Sequence, residues 1–558
     1  MKHASLWILI FCFMSTAACS HQGGAFGLTE PKAALPSSAP EKPFFSSSKK
    51  SPQGNAYYFY LLSKLESYEG QLEESLLDLK QALDQKNTSS FLEEEMAKRN
   101  IEVNRVNEAF EAVRRSLQLD PKNEDAHLLL GKLYSARKQS AEAVTEYETA
   151  IRLNPEDEEA YAALAKEYMA QKNFNRAIAV LFRLKKQVPE SLTASYYLGA
   201  IYFSFTKNYP KAIAVFQDIL EDNPDELKAL QYLGQIYLEQ DRLKEAVKVY
   251  RQIDKLVPED LSTLLRLGLL YYELKNYEAA TQSFLRILQT NPNSDRVQYY
   301  LGVIYQTQKK EEEALASFSK IPKDSSFFKE AILRSVLICQ DRSRFREAIA
   351  LIEKALSQKG DEPEFYEVLA ALYSIQSNYD QAIRILNEGI QKFPKEEKLY
   401  FSLGVAYDKK GDFETGIQMM RKVLSLNPQN ASALNYIGYS YAEKGIHLKE
   451  ALVLVSKAAS LHPKDGYVLD SLGWVYFKQG ELDKAIHYLL KADELSPREA
   501  TILEHLGDVF LRKGNRKKAR NYYQRSQESL ETKPGKEKSD LEDLARVKKK
   551  LLEQFGSK

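Results

Sequence analysis

The side chains that most often carry chemistry, cysteine and histidine, are few and scattered in this 558-residue sequence. The seven histidines (His3, His21, His127, His447, His462, His487, His505) include no i, i+4 pair and no neighbouring Cys or carboxylate at a metal-ligand spacing, so no metal is expected. No Gly-x-Ser-x-Gly elbow is present to raise a serine nucleophile at a strand-to-helix turn. The glycine-rich run Gly23-Gly24-Ala25-Phe26-Gly27 follows no strand, so it lacks the frame a phosphate loop needs. Cys339 falls on a buried helical position and reads as core rather than nucleophile. The acidic runs Glu93-Glu94-Glu95 and Glu311-Glu312-Glu313 read as solvated helix faces. No catalytic residue, metal or cofactor is assigned, and the chain is expected not to be an enzyme.

Cys19 has a different chemistry open to it. Lys2 supplies a positive start, Leu6 to Met14 is an apolar run, and Ser15-Thr16-Ala17-Ala18 is a small-residue stretch ending at Cys19. The apolar run is far shorter than the roughly 20 residues needed to span a bilayer, so residues 1–18 read as a cleaved signal peptide. Ala17-Ala18-Cys19 resembles the end of a bacterial lipobox, although Thr16 stands where Leu is usual. That resemblance implies a Cys19 acylated on its sulfur and its new amino terminus, which would anchor the protein firmly in a membrane. Ser20 follows, without the Asp that favours inner-membrane retention in enteric bacteria, so the implied place is the outer membrane facing the periplasm. The alternative is a plain secretory signal cut after Ala18, leaving a secreted or soluble periplasmic protein. Residues 19–55, with Pro31, Pro36, Pro40, Pro43 and Pro52 among Ser and Lys, have no apolar period and read as a disordered tether spanning about 30–35 Å.

From Ala56 onward the pattern is periodic. Pro121, Pro155, Pro189, Pro224, Pro258 and Pro292 fall 34, 34, 35, 34 and 34 residues apart, and Pro363, Pro394, Pro428, Pro463 and Pro497 follow at 31, 34, 35 and 34. Within Gly466 to Glu499, Leu469, Leu472, Gly473 and Tyr476 share one helical stripe, while Ala485, Leu489 and Ala492 share a second before Pro497 stops it. Small residues at positions 8, 20 and 27 let two helices approach, and larger ones fill the space between. This unit resembles the tetratricopeptide repeat at nearly every signature position. The resemblance implies an all-α, right-handed superhelical solenoid of about 14 repeats with a C-terminal capping helix, in which each repeat buries its apolar face on its neighbour. The expected divisions are the N-terminal array at 56–326, an irregular repeat at 327–362, the C-terminal array at 363–533, and a linker with capping helix at 534–558. Each 35-residue spacing reads as one extra residue in the turn between helices, near Asn208 to Pro210 and near Ile446 to Leu448. In the last segment Leu541, Leu544, Val547 and Leu551 form an amphipathic stripe beside Lys548-Lys549-Lys550.

In such arrays the first helix of each repeat lines the inner face, with positions 2, 5, 9, 12 and 13 pointing into it. Those positions hold Tyr196, Phe203, Tyr272, Tyr299, Phe401, Asn435, Tyr439, Tyr467, Asp470, Trp474, Phe477 and Asp508, the candidate partner-binding residues. Exposed aromatic rings among polar neighbours are the usual make-up of an interface hot spot. Position 5 never carries Lys, so the clamp by which some relatives hold a C-terminal carboxylate is not recognisable.

The 78 basic and 77 acidic side chains nearly cancel, which gives no global argument for nucleic acid as a partner. Across Ala431 to Gln527 the stretches Leu434 to Tyr439, Leu469 to Trp474 and His505 to Phe510 look like the last repeats of Gram-negative tetratricopeptide lipoproteins. One of those partners a periplasmic carboxyl-terminal processing protease. The resemblance implies a non-enzymatic adaptor that presents such a protease to its cell-wall hydrolase substrates. Two alternatives remain: an assembly or stability factor for a pilus, secretion, polysaccharide-export or outer-membrane complex, and a binder of an anionic envelope polymer through Arg512, Lys513, Arg516, Lys517, Lys518, Arg520 and Arg525.

Overall fold

The computed structural model describes residues 55–85, 89–359, 362–533 and 538–556. The signal peptide, Cys19, most of the tether and the start of the last linker lie outside the described residues. Among the described residues the chain forms fourteen antiparallel helix pairs, from Ala56–Tyr68 with Leu72–Asp84 to Ala500–Arg512 with Arg516–Thr532, followed by one further helix, Lys538–Phe555. No strand occurs among them. The all-α tetratricopeptide solenoid is therefore the fold.

Local chemistry sets each helix. The side chains of Asn123, Asn173, Asp260, Asn276, Asn430 and Asp465 accept hydrogen bonds from backbone N–H groups in the first turn of the helices they precede. The turn inside a repeat carries a residue in the left-handed region, such as Lys138, Lys172, Asp241, Lys275 or Lys309 in the earlier repeats, and Gly411, Gly445, Gly480 or Gly514 in the last four. Glycine takes that conformation without the steric cost a Cβ imposes.

The two helices of a repeat meet at position 8. A Cβ on Gly268 would lie 2.5 Å from Phe284 Cε1, and one on Gly473 would lie 2.7 Å from Leu489 Cγ. Tyr147, Phe216, Tyr250, Phe318 and Tyr523 occupy the same place over Gly131, Gly199, Gly234, Gly302 and Gly507. The absent side chain is thus the space that a large buried one from the partner helix fills. Cys339 is buried in a core cluster, and burial pushes its thiol pKa up.

The described residues fall into two compact units, one reaching Ala160 and the other beginning at Tyr161. In the first unit the structure corrects the reading of Glu93-Glu94-Glu95 as a solvated face. All three are buried, on the helix Ser90–Glu102. Glu94 meets Lys98 at 2.6 Å and accepts from Asn123 Nδ2 at 2.9 Å, Glu95 pairs with Lys64 and Lys98, and Glu93 accepts from Arg115 Nε at 2.9 Å. Charges taken out of water in this way persist because partners from the same repeat and its neighbours meet them, with Glu93 Oε2 alone of their oxygens buried without one.

In the second unit the extra residue of the 192–226 repeat is not in the turn, as its spacing suggested, but in the first helix. Leu192–Ala200 continues as a π-helical turn, Ile201–Phe205, closed by Thr206 N–H donating to the Ile201 carbonyl at 3.0 Å. The extra residue near Ile446 to Leu448 does lie in the turn, with His447 at φ 46°. Of the stretch 327–362, the described residues up to Lys359 fold as the helix pair Phe328–Asp341 and Phe345–Lys359, after the short second helix Glu311–Ser319.

Candidate functional site

Four successive first helices, Glu397–Lys410, Ala431–Lys444, Gly466–Gln479 and Ala500–Arg512, line one open groove of about 450 Å³. Of the twelve candidate residues it brings together Phe401, Asn435, Tyr439, Tyr467 and Asp470. Their shared face follows from the repeat: 34-residue spacing returns the same helical position to the same side each time. Ser432, Tyr436, Asp465, Val468, Ser471, Thr501 and Ile502 complete the lining. Tyr436 and Ser471 at position 6, and Val468 and Ile502 at position 3, escaped the sequence reading because they stand one residue round the helix from the positions it used.

The aromatic wall is ordered by its own hydrogen bonds. Tyr436 donates to Asp408 Oδ2 at 2.7 Å and meets Phe401 edge to face, with ring centroids 6.0 Å apart. Tyr467 is 59% exposed at the rim, and its hydroxyl donates to Glu499 at 3.1 Å. Burial first, then the neighbouring carboxylates, push the phenol pKa values of Tyr436 and Tyr439 far up, so both rings stay neutral.

Three candidates are corrected. Phe203, Asp470 and Trp474 are buried, and of the three only Asp470 touches the groove, with little of its surface. Phe203 lies in the π-helical turn against Tyr209 and Tyr232. Asp470 accepts from His505, and the Trp474 indole stacks with the His505 ring at 3.9 Å and the Phe477 ring at 4.8 Å between centroids. The next repeat covers these side chains; a single repeat's pattern cannot show that. The indole Nε1 of Trp474 is buried without a partner.

Asp508 is half-buried and held by the chain itself: Lys550 of the last helix reaches it at 2.7 Å and Glu504 at 2.8 Å, while Arg546 donates two hydrogen bonds to Glu504 at 2.9 and 2.8 Å. Val547 is buried in the core of the last repeats, with Leu544, Leu551 and Phe555 packed beside it. Leu541, expected on that stripe, is exposed. Upstream of the groove, Tyr196 donates to Glu226 at 2.7 Å, Arg334 donates to the Tyr299 hydroxyl at 3.2 Å, and Tyr272 is half-buried beside Tyr277.

The basic stretch is largely engaged within the fold. Lys513 pairs with Asp483, Arg525 with Asp493, Arg516 reaches the Gln554 carbonyl, and Arg512 and Lys518 lie over Phe477 and Phe510. Among the described residues no group of three His, Cys, Asp or Glu side chains is placed to hold a metal ion, and no helix is long and apolar enough to cross a membrane.

A tetratricopeptide repeat family model matches residues 252–531, just over half of the chain, and another matches 101–166 and 136–200. The chain belongs to the tetratricopeptide repeat family. A model described as anaphase-promoting complex, cyclosome, subunit 3 matches residues 206–287. No curated protein matches the chain. Among solved structures it is similar to residues 41 to the end of MamA from Desulfovibrio magneticus RS-1, at 23% identity over 31% of this chain and 98% of that one, with a TM-score of 0.28. It is also similar to yeast Tom70, at 14% identity over 89% of this chain and 96% of that one, with a TM-score of 0.35. The Cut9–Hcn1 hetero-tetramer of the APC/C matches at 16% identity over 89% and 90%, with a TM-score of 0.33.

Proposed function

We propose that this chain is a non-enzymatic adaptor that docks other proteins in the groove of its last four repeats. The observation that supports this most directly is the convergence of side chains from four successive first helices on one open, aromatic-walled groove. Half-exposed rings held by second-residue hydrogen bonds offer contact area at small entropic cost, which is how hot spots are built. The upstream rings Tyr196, Tyr272 and Tyr299 supply a separate surface for a second partner.

On this reading Cys19 carries the lipid that holds the protein at the periplasmic face of the outer membrane. The partners are a carboxyl-terminal processing protease and the cell-wall hydrolases it cleaves. Docking both on one scaffold raises their mutual concentration to about the millimolar range without any reaction by the scaffold itself. The engagement of Lys513, Arg516 and Arg525 within the fold weakens the alternative of an anionic polymer as ligand.

Crosslinking in intact cells, with identification of the attached proteins, tests the adaptor reading. Tyr439→Ala with Tyr467→Ala should abolish co-purification of the groove partner while leaving the helical content unchanged. Undiminished co-purification counts against the groove, and a pilus or secretion component in place of a protease would favour the assembly-factor reading. Retention of a Cys19→Ala variant in the membrane fraction would refute lipid anchoring.

A further inference from the structure

The groove's unmet bonding capacity and its charge specify what fits it. Its lining contains two carboxylates and no Lys or Arg; Asp470 is already paired with His505, so the open charge is that of Asp465. Asp465 uses Oδ1 to accept from the N–H groups of Tyr467 and Val468, and its Oδ2 makes no hydrogen bond to a described residue. The side-chain oxygen of Asn435 is buried without a donor. Of these two acceptors only Asp465 Oδ2 reaches the groove surface, since the Asn435 oxygen is closed off from it. Around them stand the rings of Phe401, Tyr436, Tyr439 and Tyr467, whose faces carry the negative end of the aromatic quadrupole.

An open carboxylate oxygen at Asp465 among aromatic faces, with no Lys or Arg in the lining, attracts a cation rich in N–H groups and repels an acidic ligand. We propose that the groove takes an extended segment of a partner protein through an arginine or lysine side chain, seated among these rings with its N–H groups directed at Asp465. The proposal rests on the groove being the docking site, and adds the charge of the occupant. It is opposite in sign to a clamp for a C-terminal carboxylate.

The test uses phage-displayed random dodecapeptides selected on the full chain, followed by titration of the synthesised winners. A peptide counts as a groove ligand when Tyr467→Ala, a change at an exposed ring, weakens its binding. Replacing the peptide's arginine by citrulline, or its lysine by glutamine, keeps size and removes charge without touching the protein. The expected loss is about tenfold or more. Groove ligands that lack a basic residue, or that tolerate citrulline, would overturn the cationic specificity and leave the groove as a docking site. Selected peptides that are all indifferent to Tyr467→Ala would overturn both.

Discussion

His505 Nδ1 lies 2.9 Å from Asp470 Oδ1 and 3.0 Å from Oδ2, joining the last two repeats through a pair shut away from water. Burial alone would lower the imidazole pKa, but the Asp470 charge and hydrogen bond, with Asp508 and Glu504 adding to it, raise it above the ordinary 6.5. Arg546 and Lys550, which face the same acids from the last helix, neutralise Glu504 and Asp508 in turn.

A raised pKa in the folded state means that folding binds a proton. The contribution of His505 is therefore whole below pH 6.5, and is lost as the pH climbs through the raised folded value. Amide exchange across 466–512 should show slower opening at pH 6 than at pH 9. His505→Gln should erase that dependence and cost about 3 kcal/mol, because Asp470 would remain buried without its cation. A variant that opens no faster than wild type would contradict the pairing.

The contact of Gly268 with Phe284 yields a second expectation. Gly268→Ala would set a Cβ about 2.5 Å from the ring, and a packed interior yields little, so a loss of about 1–3 kcal/mol is expected. Combining it with Phe284→Leu should cost less than the sum, since the smaller side chain makes room. Urea unfolding of the two single variants and the double variant measures the coupling. Strict additivity would mean that the clash is relieved elsewhere.

That same contact explains why the fold was readable. A glycine and a large partner recur at fixed separation because each repeat solves the same packing problem, so the period stands clear of the surrounding variation. Charge and insertion position were less legible. Glu93, Glu94 and Glu95 look like a solvated run, since nothing local reveals that Arg115 of the paired helix, Lys64 of the preceding repeat and Asn123 at the next helix's start will cover them. The extra residue before Asn208 counts the same in sequence whether it widens a turn or a helix, and only the Thr206-to-Ile201 hydrogen bond distinguishes them. At the groove, aromatic spacing located Phe401, Tyr439 and Tyr467. It misjudged Trp474, whose cover comes from His505 in the following repeat.

The turn residues supply a stabilising change. Lys172 holds φ 58°, where glycine stands in the last four repeats. Lys172→Gly relieves the left-handed strain of a side chain at some cost in unfolded-state entropy, and a net gain of up to about 1 kcal/mol is expected. Lys172→Val, whose branched Cβ fits that region worst, should lower stability instead. Thermal melts of the two variants should move in opposite directions from wild type, and a common direction would exclude backbone strain as the cause.

Glu66 stands where most repeats carry tyrosine, and its consequence is a stability that falls toward neutral pH. Burial, then the hydrogen bond and charge of Asp78, then the charges of Glu74 and Glu69, raise its carboxyl pKa from 4.5 to about 7; burial raises Asp78 as well. One oxygen of each carboxyl is buried without a further partner. The folded first repeat therefore favours a proton on Glu66 that the unfolded chain releases near 4.5. The stabilisation is complete below pH 4.5 and disappears as the pH rises through about 7. Glu66→Gln keeps a donor beside Asp78 without the ionisation, so it should leave the unit ending at Ala160 unchanged at pH 5 and raise its melting point by about 2–4 °C at pH 8. Glu66→Tyr, which restores the residue of the later repeats, should act in the same direction only if the space beside Asp78 admits the ring. Equal melting points for wild type and Glu66→Gln at pH 8 would show that the two carboxyls ionise freely in water.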